Sequence, residues 1–156
     1  MTSQTPALQG LTIRSTEILD STGKPVRGLE AGENYLIAIM VTAARAIRNI
    51  SIGYNIKLAN GVTVYGTSSA VQGHFLNFEC GETKVSRFTF KPDLALGTYY
   101  LSSGVAETLT PDHEVHNYVM RDFVHDALPF VVASDKDTGL VDLKSDLISF
   151  EKIGAQ

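Results

Sequence analysis

The sequence predicts an all-β fold: an antiparallel β-sandwich, jelly-roll or immunoglobulin-like. Three observations carry this reading. About eight to ten short segments alternate apolar and polar residues, or run apolar for a strand's length. Clusters of Gly, Pro, Asn, Asp and Ser separate them at short intervals, as turns do. No segment sustains the three-and-four apolar spacing that an amphipathic helix needs. A chain of 156 residues suffices for one domain with its own core. Residues 1–10, polar with Pro6, read as a flexible leader, and 11–156 as a single sandwich.

The elements follow in order. Leu11 to Asp20 is a strand closed by the turn "DSTGKP", and "LEAGENY" makes a second turn around Gly32. Tyr35 to Ala43, "YLIAIMVTA", is apolar almost throughout; its length and its Ile and Val content favour a buried strand. From Ile50 to Leu58 the even positions are apolar and the odd ones small or polar, the period of a strand with one buried face. Lys84 to Phe90 puts Phe88 and Phe90 on one face and Arg87 and Thr89 on the other. "TYYLSSG" gives Tyr99 and Leu101 to one face and Tyr100 and Ser102 to the other, and residues 105–117 read as irregular and polar. Tyr118 to Val124 and Ala127 to Ser134 read as two strands; after the turn "SDKDTG", "LVDL" and "LISFEK" read as short closing strands.

Composition narrows the function. Apolar residues make up 44% and charged residues 19%, the balance of a folded globular protein. Net charge is −4 with no basic stripe, which argues against nucleic acid or anionic lipid as partners. The single Cys80 leaves no intrachain disulfide framework and fits a reducing compartment. No stretch has the length of a membrane span and the first residues lack the pattern of a signal peptide, so a cytoplasmic location is expected.

The segment "NISIGYNIKLANGVTVYGTSS" defines a hairpin whose register follows from its faces. A two-residue Asn60-Gly61 turn would set Lys57 beside Val64 and mix the faces. A three-residue loop, Ala59-Asn60-Gly61 with Gly61 left-handed, pairs Leu58 with Val62 and Ile56 with Val64 on the core side. Lys57 then meets Thr63, and Asn55 meets Tyr65, on the outer side, whose further members are Ser51, Gly53, Thr67 and Ser69. Two readings fit that outer face. One is ordinary solvated sheet surface. The other is a glycan platform, where an aromatic ring supports the C–H face of a sugar and amides and hydroxyls take its hydroxyls. Arg87, Tyr100 and Ser102 extend the platform if their strands join the same sheet, and Arg87 would suit a phosphate on a modified sugar.

Catalytic constellations are weaker. His113, His116 and His125 stand near Asp112, Glu114, Asp122 and Asp126, but "HEVH" lacks the spacing that puts two histidines on one helix face. Asp122 and Asp126 would need a set separation to act as a glycosidase pair, which nothing in the sequence fixes, and Asp126 is better read as starting a strand or closing the turn before "ALPF". Cys80 and His74 have no third orienting residue, and no G-x-S-x-G motif is present. No metal or cofactor is called for.

Taken in order, "STEILDSTGKPVRGLEAGENYLIAIMV", the hairpin, "LGTYYLSSGV", "VHDALPFVV" and "GLVDL" resemble the C-terminal carbohydrate-binding domain of Wzt, the ATPase subunit of O-antigen polysaccharide ABC transporters. The similarity runs from about Leu11 to Leu143. Its matching positions, Gly23, Gly32, Gly53, Gly61, Gly66, Gly97, Tyr99, Asp126, Ala127 and Phe130, are largely turn and core signatures. The resemblance implies a jelly-roll sandwich, a homodimer with exchanged C-terminal strands, and non-catalytic recognition of the end-modified O-antigen beside an ATPase domain and a permease. No G-x-x-x-x-G-K-[ST] loop occurs in these residues, so they hold no ATPase site. The expected carbohydrate-binding residues are Ser51, Asn55, Lys57, Tyr65, Thr67, Arg87, Tyr100 and Ser102. A glycan-active enzyme using residues 112–126 and a protein-docking sandwich are the alternatives.

Overall fold

Period-two patterning becomes two packed layers. The computed structural model describes residues 10–109, 118–134, 140–141, 143, 145–149 and 151–152. One sheet holds β1 (Leu11–Leu19), β3 (Tyr35–Ala43) and β7 (Thr83–Phe90), in the order β1-β3-β7. The other runs β2 (Gly28–Glu30), β9 (Tyr118–Ala133), β8 (Gly97–Thr108), β4 (Ile47–Lys57), β5 (Thr63–Ser68), with β6 (Leu76–Phe78) also on β4. All pairings are antiparallel except β2 with β9. Three strands in one layer and the β9-β8-β4-β5 run in the other, with β4–β5 and β8–β9 as sequential pairs, make the expected antiparallel β-sandwich in an immunoglobulin-like order.

The apolar phase of each strand meets between the layers. Ile18, Ile37, Ile39 and Val41 of the smaller sheet face Ile50, Ile52, Ile56, Leu101, Val105, Leu128, Phe130 and Val132 of the larger, all buried. An aromatic seam crosses this interior. Tyr54 lies edge-on to Phe88 at 5.3 Å, Phe90 meets Phe130 at 6.0 Å, and Tyr99 stacks on Phe130 at 5.7 Å. Two polar ties join the layers: the hydroxyls of Thr16 and Ser103 share a hydrogen bond of 2.7 Å, and the Ile13 amide donates to Asp122 at 2.8 Å.

Several sequence expectations change. Gly28–Glu30, inside a region read as turns, adds a short parallel edge strand, and Leu76–Phe78 adds another strand. Residues 105–108 continue β8 instead of being irregular, because Val105 and Ala106 are buried and paired with β9. The two strands expected over 118–134 are one, interrupted by a bulge where His125, Asp126 and Ala127 oppose Ser102 alone. Asp126 takes a left-handed backbone there, φ 48°. Of the described residues in 140–152, only Val141 joins a ladder, by an isolated bridge to Leu94, so no closing strand forms among them. The region 110–117, with Asp112, His113, Glu114 and His116, lies outside the described residues.

Candidate functional site

Tertiary pairing decides which polar residues share a face. Gly61 is left-handed at φ 88°, its amide donates to the Leu58 carbonyl at 2.9 Å, and Leu58 pairs with Val62 as the three-residue loop requires. Lys57 then pairs with Thr63. Beyond that point a bulge at Val64 shifts the register, setting Ile56 opposite Tyr65 and Asn55 opposite Gly66. The expected neighbourhood of Tyr65 and Asn55 is therefore corrected. Tyr65 stands in the inward phase at the open edge of the sandwich, 51% exposed, with its ring 6.2 Å from that of Tyr54. The bulge sits on an edge strand and covers one end of the aromatic seam, a gain in burial that a straight hairpin would forgo. Burial, together with the charge a neighbouring Tyr65 would carry, pushes the Tyr54 phenol up to about 12.

The outer face of the larger sheet keeps the rest. Thr63, Lys57, Tyr100 and Pro129 form one row across β5, β4, β8 and β9. Gly66, Asn55 and Ser102 form the next. Lys57, Asn55 and Tyr100 are half-buried, while Thr63 is exposed. The side-chain oxygen Oδ1 of Asn55 is buried and has no hydrogen-bond partner among the described residues, an acceptor that a water or a ligand donor would satisfy. Ser102 lies on this face but is 0% exposed, because the bulge of β9 covers it; its hydroxyl accepts the Asp126 amide at 2.9 Å. It supports the patch from beneath. Ser51 is outward too, and its hydroxyl accepts the Ala70 amide at 3.2 Å.

Two other expected members lie elsewhere. Arg87 belongs to the smaller sheet, paired with Ala38 across β3, so it does not extend this patch. Thr67 pairs with Tyr54 in the inward phase and accepts Gln72 Nε2 at 3.2 Å. Gly53 does not leave an open depression either: a Cβ there would stand 2.6 Å from the Thr67 carbonyl, so β5 already fills that space. Further along the same face the Phe123 ring lies over Gly104, where an added Cβ would meet it at 2.9 Å, and His125 contacts Phe123 with ring centroids 4.3 Å apart. Gly104 shares the outward phase of Tyr100 and Ser102, the one sequence signal that pointed to this neighbour. Asp122 is engaged by the Ile13 amide and turns inward, away from Asp126. Cys80 is exposed, its thiol directed at the Ala44 carbonyl at 3.4 Å. Among the described residues no group of three His, Cys, Asp or Glu side chains could hold a metal ion, and no helix is long and apolar enough to cross a membrane.

Comparison with known proteins places the chain in a family. The sequence model of the Wzt C-terminal domain matches residues 6–143. A crystal structure of the C-terminal domain of Wzt superposes with a TM-score of 0.79 at 25% identity, covering 90% of this chain and 84% of that one. The alkylpurine DNA glycosylase AlkC of Pseudomonas fluorescens shares the fold alone, with a TM-score of 0.50, 9% identity, and coverage of 80% of this chain and 31% of that one. A CARDB domain from Pyrococcus furiosus has a TM-score of 0.45 at 16% identity, over 79% of this chain and 94% of its own. No curated protein sequence matches the chain.

Proposed function

The chain belongs to the Wzt C-terminal domain family, and from that premise we propose that it is a non-catalytic module that recognises O-antigen polysaccharide for export by an ABC transporter. The observation that carries the proposal is the Oδ1 of Asn55, buried and without a partner among the described residues, in the row next to Thr63, Lys57 and Tyr100. A sugar ring rests its C–H face on Tyr100 while its hydroxyls donate to Asn55 and accept from Lys57 and Thr63. Lys57, on its flexible stem, swings aside to admit the hydroxyl that reaches Asn55. Ser51, outward on the same strand, flanks this centre. Each hydroxyl exchanges water for protein, so a single site binds modestly.

A homodimer with exchanged C-terminal segments would present two such sites to one polysaccharide and raise the effective concentration. The exposure of Leu143, Leu147 and Ile148, at 82%, 79% and 92%, supports a second copy as their cover. In the full assembly the module works at the cytoplasmic face of the membrane, next to an ATPase domain and the permease.

Titration calorimetry with purified O-polysaccharide tests this reading. Tyr100→Ala and Asn55→Ala are each expected to weaken binding about tenfold or more, about 1.4 kcal/mol, with the thermal midpoint little changed. Arg87→Ala on the other sheet leaves affinity intact. Equal affinity in all three variants, or a shortened polysaccharide after incubation with the protein, would overturn the proposal.

A further inference from the structure

Aromatic surface on the outer face of the larger sheet does not end at Tyr100. Strand β9 carries two bulges against β8. At the first, Met120 and Asp122 pair with Ala106 and Val105 and leave Arg121 extra; at the second, His125, Asp126 and Ala127 oppose Ser102. Only Asp122, Phe123 and Val124 keep regular register between them. This stretch is tied down along its length. Arg121 donates to Glu107 through Nη2 at 2.6 Å and Nε at 3.1 Å, Asp122 accepts the Ile13 amide, and the Asp126 amide donates to the Ser102 hydroxyl. What it presents outward is the Phe123 ring. That ring reaches from β9 onto Gly104 of β8, where an added Cβ would stand 2.9 Å from it and 3.4 Å from the Met120 sulfur. His125 stands against the ring, tilted by 63°. Phe123 is half-buried, His125 is exposed, and neither belongs to the core, which lies on the other face of the sheet.

Gly104 and Tyr100 both point outward on β8, four residues apart, about 14 Å along the strand. Ser102 lies between them, and its partner across β4 is Asn55. The buried Asn55 oxygen therefore sits midway between two aromatic surfaces. Opposite Gly104, β4 offers only Gly53, so no β4 side chain stands at that level between Asn55 and the Phe123 ring. Resting on the reading that this face binds the glycan, we propose that Phe123 and His125 form a second sugar subsite, and that the ligand is a stretch of polysaccharide lying lengthwise along β8 rather than one terminal sugar. One sugar ring rests its C–H face on Tyr100 and a later one rests on Phe123 with His125 at its rim. The segment between them gives a hydroxyl to Asn55. A single sugar ring is too short to touch both platforms, so full affinity requires several linked sugars. The anchored bulges hold the Phe123 ring in place before the ligand arrives, which lowers the ordering cost of binding.

Titration calorimetry of the full chain with size-fractionated fragments of purified O-polysaccharide, from a single sugar to several repeat units, tests this. Wild-type affinity is expected to rise with fragment length until both platforms are covered, and then to level off. Phe123→Leu keeps a cover on Gly104 but removes the ring. It flattens that rise: long fragments lose about three- to tenfold in affinity and the shortest lose little. Tyr100→Ala weakens fragments of every length. In the unaltered protein the ring resonances of Phe123 and His125 shift with long fragments, a readout that holds even where Phe123→Leu lowers the thermal midpoint. Affinity independent of length, or Phe123 and His125 rings unmoved by long fragments that shift the Asn55 amide, overturns the second subsite and leaves the site at Asn55 and Tyr100 standing. Binding of no fragment at all, or binding indifferent to Tyr100→Ala and Asn55→Ala, overturns that first site and the second with it.

Discussion

At the scale of single residues, Tyr54 shows how packing sets chemistry. Its ring sits among Phe88, Phe90 and Tyr65, and burial favours the neutral phenol. The folded protein therefore keeps a proton that the unfolded chain releases near the ordinary value of 10.0. Stability from this source is complete below that pH and falls as pH rises towards about 12. Chemical denaturation at pH values on either side of 10.0 should show the loss, and Tyr54→Phe should reduce it. Tyr99, raised by burial as well, keeps its own share. An identical pH slope in the variant would contradict this account. The identities of the buried residues were legible from alternation alone: Ile50, Ile52, Tyr54, Ile56, Tyr99 and Leu101 all lie in the core. The reason for Gly53 was not, because the approach of the Thr67 carbonyl depends on the pairing of a second strand.

At the scale of elements, pairing corrected what pattern alone proposed. Strand Tyr35–Ala43 and loop Ala59–Gly61 follow from length, β-branched content and the left-handed preference of glycine. The bulges at Val64 and at His125–Ala127 do not, since an inserted residue leaves little trace in a short alternating segment. One slip of register moved Tyr65 from the outer face to the sandwich edge. Sheet membership was equally hidden: β7 alternates as neatly as β8, yet Arg87 and Tyr100 fall on different layers. The layers themselves are tied by the buried Thr16–Ser103 hydroxyl pair. Ser103→Ala strands the Thr16 hydroxyl and should cost about 1–3 kcal/mol. Thr16→Val combined with Ser103→Ala should cost less than the two single changes summed, with a coupling of about 0.5 kcal/mol or more. Additive effects in the denaturation midpoints would mean that the two hydroxyls do not depend on each other.

At the scale of the whole molecule, the two sheets present different outer faces. The larger carries a polar row beside a buried amide oxygen that has no partner among the described residues, and the smaller a largely apolar central strand flanked by Glu17 and Arg87. A module that holds a polysaccharide on the outer face of its larger sheet accounts for that polar row and the buried amide oxygen beside it. Its central claim is the place of recognition. Amide and side-chain chemical shifts recorded during titration with O-polysaccharide oligosaccharides test it most directly. The account predicts saturable shifts at the Asn55 side-chain amide and at Lys57, Thr63 and Tyr100, with Ala38, Met40 and Arg87 unmoved. Shifts confined to the smaller sheet, or none at ligand concentrations that saturate the full chain by calorimetry, would contradict it.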